Sequence, residues 1–364
     1  MNLSTGVDWA PVLELLALAA FLALLPLWWV WRRYPDATPR ARLLRLATLT
    51  LFITFDLVVF GAFTRLSDSG LGCPDWPGCY GEASPFAAAQ AIGAAQEAMP
   101  TGPVTHVKAW IEMIHRYIAM VVGALIVLQL ALAWRWRRQG VSWTWPLLLL
   151  GWVLLQGAFG AWTVTMKLQP IIVTGHLLGG LALLALLQAY RIHLKSVPAP
   201  PHAGAPIWAW ALLALLTLQV ALGAWVSTNY AVLACQDFPT CHGVWWPEMN
   251  WRAGFELWRP LGRDGQGEPI AAAALVAIHM AHRLMAVVVL LALWAAAWAQ
   301  RHVWRRGAQA LAVLGLAQLA TGVSNVVLQW PLLAALAHTA GAAALVLVLT
   351  SAALGQREKG GGHG

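Results

Sequence analysis

Two pairs of cysteines with equal spacing are the first residues of this sequence that could do chemistry. Cys73 and Cys79 enclose Pro-Asp-Trp-Pro-Gly, and Cys235 and Cys241 enclose Gln-Asp-Phe-Pro-Thr. A disulfide can close such a loop, whereas a zinc site of four thiolates would require the two loops to meet, with a spacing unusual for zinc. We therefore predict one disulfide within each pair. Their redox activity stays open, because thiolate reactivity depends on the local pKa.

Five of the eleven histidines lie inside strongly apolar segments, where an ionisable side chain is a candidate functional group. A lone histidine could instead join two helices by a hydrogen bond. Four of the five, however, recur at equivalent places in an internal repeat, and two facing imidazoles in a helical bundle suit bis-histidine ligation of haem iron. Zinc would need more ligands than each half supplies; copper stays an alternative, although no thiolate or methionine lies at a matching height. The four are His115, His176, His282 and His338; the fifth, His279, is predicted to lie beside the ligands.

An acid accompanies the histidines in one half only. Glu112 precedes His115 by three residues, and His279 takes the equivalent place before His282. Residues three apart share a helix face, so Glu112 is predicted to lie one turn from the iron. There it could act as a general base or stabilise a cationic intermediate. The alternative is an ion pair with a neighbouring basic residue such as Arg116.

Three arginines are predicted to bind the propionates of haem, because a guanidinium can bind a carboxylate through two hydrogen bonds. Arg116 and Arg283 directly follow two of the proposed ligands, and Arg65 lies at the edge of an apolar segment. For Arg65 the alternative is ordinary snorkelling to the membrane interface.

Membrane helices must position these residues. Hydrophobic residues make up 60% of the chain and charged residues only 10%, whereas about a quarter of a soluble domain is charged. Nine apolar runs are long enough to cross a bilayer, which predicts an all-α, multi-pass membrane protein. The first run is followed, not preceded, by basic residues, so we expect it to be retained rather than cleaved as a signal peptide. The runs cover 10–31, 44–65, 108–134, 144–166, 171–194, 206–228, 271–299, 308–328 and 332–354.

The formal charge of +8 could suggest a nucleic-acid partner, but the positions of the basic residues indicate the orientation of the protein in the membrane instead. Arginine and lysine cluster after the first, third, fifth, seventh and ninth runs, and the positive-inside rule makes that side cytoplasmic. The C-terminus is then cytoplasmic, and the protein is predicted to lie in a bacterial inner (plasma) membrane. The cysteine loops would face the periplasm, where disulfides persist.

The sequence also repeats itself at an offset of 162. Residues 61–81 align with 223–243, and His176 aligns with His338; 112–116 align with 279–283 at an offset of 167. An even number of spans in each copy predicts two parallel four-helix bundles, with one extra N-terminal helix. The predicted division is 1–43 for that helix, 44–198 and 199–356 for the two copies, and 357–364 for a cytoplasmic tail.

These motifs resemble those of haem A synthase, a family of membrane enzymes that convert haem O to haem A for cytochrome oxidase. The resemblance covers about residues 61–342. It implies an eight-helix protein of two halves, one for the substrate haem and one for a haem b cofactor, and the ninth helix departs from that pattern. The matching segments are TRLSDSGLGCPDWPGCYG, EMIHR, GHLLGG, HMAHR and AHTAGA.

The resemblance also implies a role for each site residue. His115 and His176 would flank the substrate haem, His282 and His338 would ligate haem b, and Glu112 would take part in catalysis. The implied reaction oxidises the C8 methyl group of haem O to a formyl group by successive hydroxylation and dehydration, with haem b passing electrons onward. The implied partners are a haem O synthase and a membrane electron acceptor, in contact with membrane lipid.

Three other functions compete with this interpretation. A thiol–quinone oxidoreductase would explain the cysteine pairs but not the paired histidines. A haem transporter would use histidine pairs but would not need an acid beside only one haem. A di-haem electron carrier would require neither the acid nor the difference between the halves.

Overall fold

The computed structural model describes residues 9–195 and 206–354. This part of the chain contains nine helices long and apolar enough to cross a membrane, which confirms the predicted all-α, multi-pass class. Each helix end lies within five residues of the predicted run. The nine are α1 (Ala10–Arg33), α2 (Pro39–Leu66), α4 (His106–Arg135), α5 (Thr144–Thr165), α6 (Pro170–Lys195), α7 (Ile207–Thr228), α9 (Ala272–Gln300), α10 (Arg305–Val327) and α11 (Leu332–Ala353). Two shorter helices, α3 (Ala89–Ala98) and α8 (Trp251–Gly254), lie in the connections.

Local signals set the starts of the helices that carry the first site. Thr38 accepts a hydrogen bond from the backbone N–H of Ala41 (3.3 Å) at the start of α2, and Thr105 accepts one from Lys108 (3.2 Å) at the start of α4. Each threonine satisfies a backbone donor that has no partner within its helix. The apolar sequence that follows spans a bilayer as a helix because its backbone groups then pair with one another.

The chain divides into two compact units, Met1–Lys167 and Leu168–Gly364. In the first unit, α4 packs against α1, α2, α3 and α5; in the second, α9 packs against α7, α8 and α10, and α11 packs against α6, α7 and α10. Helix α6 therefore belongs to the second unit, although the repeat assigns it to the first copy. The predicted boundary at 198/199 and the tail at 357–364 lie outside the described residues, so the division into four-helix copies stays a prediction.

Local backbone geometry repeats at the offset found in the sequence. The ends of α2 and α7 lie 162 residues apart, as do the ends of α5 and α10. Cis peptide bonds precede Pro77 and Pro239, which are separated by the same interval. Equivalent segments of the two units therefore fold alike. Positive φ angles recur in the same way, at Tyr80 and Gly81 and again at His242 and Gly243.

The first cysteine loop, residues 67–88, packs into an apolar cluster with α1, α3 and α4. Leu15 of α1 is 2% exposed in this cluster, so a helix that lies outside the sequence repeat covers the loop. The sequence did not predict α3. This helix is too short to span a membrane and follows the loop directly in the chain. The cluster consists of Leu15, Cys73, Cys79, Ala88, Ile92, Ala109 and Met113.

A close approach of two backbones fixes this loop on α4. A Cβ atom added at Gly72 would lie 2.5 Å from the carbonyl carbon of Lys108 and 2.6 Å from the nitrogen of Ala109. The equivalent position of the second cysteine loop, residues 229–250, is Ala234. The second loop thus accommodates a side chain where the first does not.

We expect Gly72→Ala to separate the first cysteine loop from α4, because backbone atoms cannot move aside as a flexible side chain can. Overpacking of this kind costs about 1–3 kcal/mol, so thermal unfolding of the purified protein should begin at a lower temperature. Gly123→Ala, also on α4, is the control, since a Cβ atom there meets nothing within 4 Å. Equal unfolding temperatures for the two variants would contradict this expectation.

Candidate functional site

Both cysteine pairs form disulfides. The S–S distance is 2.06 Å for Cys73–Cys79 and 2.00 Å for Cys235–Cys241, and the Cα atoms of each pair are 4.9 Å apart. All four residues are 0% exposed. The two loops are therefore closed, and their sulfur atoms are shielded from dissolved thiols and oxidants.

An aspartate inside the first loop organises the turn that follows the second cysteine. The carboxylate of Asp75 accepts hydrogen bonds from the backbone N–H groups of Tyr80 (2.6 Å) and Gly81 (2.7 Å). Sequence reasoning missed this residue, although its recurrence in both loops, with a glycine six residues later, was a usable signal.

Asp237 plays the same part in the second loop. It accepts hydrogen bonds from the backbone N–H groups of His242 (2.7 Å) and Gly243 (2.9 Å), and another from the hydroxyl of Thr240 (2.6 Å). These hydrogen bonds, above all the one from Thr240, lower the pKa of Asp237 to about 2. The loop is thus organised around a carboxylate that stays charged well into acid.

An arginine of α4 holds the first loop through its backbone carbonyl groups. Nη1 of Arg116 donates to the carbonyl oxygens of Asp75 (2.9 Å), Pro77 (3.2 Å) and Gly78 (2.5 Å). The side chain is buried. The structure thus gives Arg116 a role that the sequence did not predict, whereas its predicted contact with a propionate stays a prediction.

Arg283 of α9 holds the second loop in the same way. Nη1 donates to the carbonyl oxygen of Thr240 (2.9 Å), and Nη2 donates to those of Cys235 (3.2 Å) and Asp237 (3.0 Å). We call Arg116 and Arg283 the clamp arginines. Each follows a histidine directly, so each clamp ties a disulfide loop to the helix turn that carries a proposed iron ligand.

Glu112 is the partner of the first clamp arginine. Its side chain is buried, Oε1 accepts a hydrogen bond from Nη2 of Arg116 (2.5 Å), and Oε2 accepts one from the backbone N–H of Cys73 (2.8 Å). The ion pair considered as an alternative for Glu112 is therefore present. The carboxylate links α4, its clamp arginine and the disulfide loop.

His279 takes this place in the second unit. It is 3% exposed, and its Nε2 accepts a hydrogen bond from Nε of Arg283 (3.2 Å). Because that nitrogen accepts a hydrogen bond and so carries no hydrogen of its own, the ring is a neutral imidazole here. Both clamps therefore donate to carbonyl groups at two equivalent positions of their loops, Asp75 and Gly78 in the first and Asp237 and Thr240 in the second, and their partners on the helix differ in charge.

Two proposed iron ligands face each other within the second unit. The ring centres of His282 on α9 and His338 on α11 are 6.4 Å apart, and the ring planes are inclined by 77°. Two imidazoles that share one metal ion place their ring centres roughly 6 Å apart, because each metal–nitrogen bond is about 2 Å long. Both side chains are half-buried. The pair fits bis-histidine ligation of haem iron.

Repeat-matched glycines leave space for the imidazole rings. A Cβ atom added at Gly223 would lie 2.8 Å from Cε1 of His282, and one added at Gly61 would lie 3.1 Å from Nε2 of His115. Glycine at these positions of α7 and α2 therefore lets each ring lie against the neighbouring helix.

His115 and His176 lie in different units. His115 is on α4, and its ring stacks on Phe60 with the centres 6.5 Å apart. His176 is on α6, where its Nδ1 atom is buried and has no hydrogen-bond partner among the described residues. Their predicted pairing around one haem rests on the repeat in the sequence and stays a prediction.

Arg65 is the remaining residue predicted at the site. Its Nη1 atom forms an ion pair with Asp68 (3.2 Å) at the end of α2. The predicted contact between Arg65 and a haem propionate stays a prediction.

Within residues 9–195 and 206–354, no group of three or more histidine, cysteine, aspartate or glutamate side chains is arranged to hold a metal ion. Two histidines are enough to bind the iron of a haem, because the porphyrin supplies the other ligands. The donor set therefore fits haem.

The fold and site together define a class: a multi-pass helical membrane protein whose two units each present a disulfide loop clamped by an arginine next to a histidine. A family model described as "Cytochrome oxidase assembly protein" matches residues 44–350. The chain belongs to this family. Helix α1 lies before the matched region.

Bacterial relatives named "Heme A synthase" support the same assignment. The protein of Shewanella oneidensis is 37% identical over 312 residues, which cover 84% of this chain and 94% of the relative. That of Caulobacter vibrioides is 30% identical over 328 residues (82% and 91%), and that of Rhizorhabdus wittichii is 26% identical over 344 residues (86% and 94%). The predicted resemblance to haem A synthases is confirmed.

The low pKa of Asp237 predicts an acid limit for the second loop. Because this pKa lies below the ordinary value of about 3.9, the stabilising contribution of Asp237 is complete above that pH and is lost as the pH falls toward 2. We expect the Cys235–Cys241 disulfide to resist a water-soluble phosphine at pH 5 and to become reducible near pH 2, with thiols counted by alkylation and mass spectrometry.

Asp237→Asn should make this disulfide reducible at both pH values, because the amide cannot accept from all three donors. Glu248→Gln, which removes an exposed acid from the same loop, is the control and should behave as the wild type. If the wild-type disulfide resists the phosphine equally at pH 5 and pH 2, protonation of Asp237 does not control its reduction.

Proposed function

We propose that this chain is a haem A synthase, which oxidises the C8 methyl group of haem O to a formyl group. The observation that carries the proposal is the difference between the two clamps: Arg116 holds the carboxylate of Glu112, and Arg283 holds the imidazole of His279. Two haems with the same function would not require different groups beside the two clamp arginines. A substrate haem in one half and a cofactor haem in the other would require them.

The reaction is an oxidation and requires an electron acceptor. With oxygen from water, conversion of the methyl group to the formyl group releases four electrons and four protons. It passes through a hydroxymethyl group and a geminal diol that loses water. The porphyrin and iron of the substrate supply the chemistry that breaks C–H bonds, and the protein supplies binding, orientation and charge.

We assign haem b to His282 and His338, because their separation fits two ligands of one iron. When bound, haem b supplies a one-electron redox centre in the second unit. The chain provides two imidazoles whose rings are fixed by neighbouring side chains and by the space at Gly223.

We assign the substrate haem O to His115 and His176, since these two residues occupy the places of His282 and His338 in the repeat. The support is the match of both residues to the second copy, at offsets of 167 for His115 and 162 for His176, and the half-buried state of both side chains.

Glu112 is the residue proposed for catalysis. One helical turn separates it from His115, and two donors hold its carboxylate in place. A fixed negative charge there stabilises positive charge that develops on the substrate, and the carboxylate is also a proton acceptor. The same bonds anchor the first disulfide loop, so catalysis and loop position share one side chain.

We propose an orientation with both cysteine loops on the periplasmic side of a bacterial inner membrane and the C-terminus in the cytoplasm. Basic residues lie in the last turns of α1 and α4, at the ends of these helices away from the first cysteine loop. This agrees with the positive-inside rule. The proposed partners are a haem O synthase, which makes the substrate, and a membrane electron acceptor.

The structure disfavours a thiol–quinone oxidoreductase. A redox-active cysteine needs access for the attacking thiolate, and all four cysteines are 0% exposed. A di-haem electron carrier and a haem transporter both leave the haem chemically unchanged, so analysis of the haem product separates them from a synthase.

We expect Glu112→Gln to accumulate haem O or a hydroxylated haem O and to lower haem A by about 100-fold, the usual scale for loss of an acid–base group. Glutamine has one acceptor oxygen, which can keep the hydrogen bond from Cys73 but not also the one from Arg116, so the variant removes both the negative charge and the ion pair. The measurement is extraction and chromatography of haem from purified protein co-expressed with a haem O synthase.

Glu97→Gln, an exposed change on α3, is the matched control and should leave haem A at the wild-type level. Wild-type amounts of haem A in Glu112→Gln would discard the catalytic role of Glu112 and keep the enzyme. Haem b alone in the wild type, with haem O demonstrably present, would overturn the proposed function and favour a carrier or transporter.

Gly223→Ala should displace the ring of His282, because the new methyl group would lie 2.8 Å from it. We expect loss of the low-spin haem b spectrum from purified protein, with the disulfides intact. Gly157→Ala on α5, where a Cβ atom meets nothing within 4 Å, is the control. A haem b spectrum unchanged in Gly223→Ala would contradict ligation by His282 in this position.

A further inference from the structure

We propose that Gln219 and Thr321 are positioning residues that hold the two haem b ligands of the second unit with Nε2 directed to iron. The inference rests on the proposed function, in the part that assigns haem b to His282 and His338. Neither residue was a candidate from the sequence. A ligating histidine usually has its second ring nitrogen fixed by a hydrogen bond, which sets both the tautomer and the orientation of the ring.

Thr321 of α10 fixes the tautomer of His338. Its Oγ1 atom lies 2.9 Å from Nδ1 of His338 and donates its own proton to the carbonyl oxygen of Ala317 (2.7 Å). Since that proton is already used, the hydroxyl oxygen accepts from the ring, and Nδ1 carries the hydrogen. Nε2 of His338 then has the free lone pair that a metal requires.

Gln219 of α7 contacts the corresponding atom of His282. Its Nε2 atom lies 3.1 Å from Nδ1 of His282 and 3.3 Å from the carbonyl oxygen of the same residue. Its Oε1 atom is buried and has no hydrogen-bond partner among the described residues. Turning the amide by half a turn would place Oε1 at Nδ1, where it accepts the ring hydrogen and leaves Nε2 of His282 for iron; the hydrogen bond from the amide nitrogen to the carbonyl oxygen of His282 is then given up.

The first half has no polar side chain at either equivalent position. At the offset of 162, Gln219 corresponds to Leu57 and Thr321 corresponds to Phe159. Gln318, by contrast, donates to the carbonyl oxygen of His338 (2.9 Å) and has a glutamine equivalent, Gln156. The glutamine that supports the backbone in the second copy thus has a sequence equivalent in the first, whereas the side chains at the ring nitrogens do not.

This difference matches the two kinds of haem in the proposed function. A resident cofactor is retained better by ligands that are already fixed, because less freedom is lost on binding. A substrate must leave as product after each turnover. The second copy therefore has the polar contacts expected of a permanent haem site.

The test uses purified full-length protein and measures haem b content, the low-spin electron paramagnetic resonance signal and the midpoint potential of haem b. We expect Thr321→Val and Gln219→Leu each to weaken haem b retention by about 10-fold, the usual lower scale for such partners. The potential should rise, because a histidine that donates no hydrogen bond is a poorer ligand for ferric iron; a tenfold relative loss of the ferric form equals about 59 mV.

Two conservative variants separate positioning from packing. Thr321→Ser restores the hydroxyl and should restore the wild-type potential. Gln219→Glu offers a stronger acceptor to Nδ1 and should lower the potential, opposite to Gln219→Leu. The controls are Thr217→Val on α7 and Ser324→Ala on α10, whose exposed hydroxyls donate only to carbonyl groups of their own helices.

The outcomes are distinguishable. If the wild type binds haem that is lost in His282→Ala and His338→Ala, but the potential and haem content do not change in Thr321→Val and Gln219→Leu, the positioning roles are overturned and the proposed function stands. Failure of Thr321→Ser to restore the potential also overturns the role of Thr321. If the wild type holds no haem that depends on His282 and His338, both this inference and the haem b assignment fail.

Discussion

The arrangement of both sites depends on one type of interaction, the hydrogen bonds from an arginine to the backbone carbonyl groups of a disulfide loop. A loop that folds at the end of a helical bundle presents carbonyl groups that no helix or strand satisfies, and an unpaired buried carbonyl group is costly. Arg116 and Arg283 supply several donors from one planar group. Because each arginine follows a histidine directly, the position of the loop and that of the proposed ligand are set together.

The group on the other side of each clamp separates the two units. The first clamp arginine is neutralised by Glu112, whereas the second donates a hydrogen bond to the neutral imidazole of His279. An exchange of residue type at one place in a duplicated structure thus changes the local charge while an arginine still binds the disulfide loop. In the proposed function, this local exchange separates the half that holds the substrate haem from the half that holds the cofactor haem.

Much of the fold was predictable because hydrophobic length and charge asymmetry are properties of the sequence itself. All nine spans were found, and the helix ends differ from prediction most at the start of α2, whose first turn contains Arg40 and Arg42. The arginine contacts were not predictable, since the sequence shows a charge but not which acceptors surround it. Gln219 and Thr321 were missed for a related reason: isolated polar residues in apolar helices lack a pattern until the fold shows what they face. The placement of α6 in the second unit is likewise a property of packing that no local signal contains.

The burial of the disulfides constrains the order in which the protein matures. All four cysteines are inaccessible once each loop has packed, and Leu15 of α1 closes over the first pair. An oxidising enzyme must therefore reach the thiols while the loop is still open, before its clamp arginine and α1 have docked. Oxidation of each pair thus precedes the final packing of its loop, and that packing then protects the bond. A cell that oxidises these thiols slowly would accumulate chains whose clamps have no ordered loop to bind.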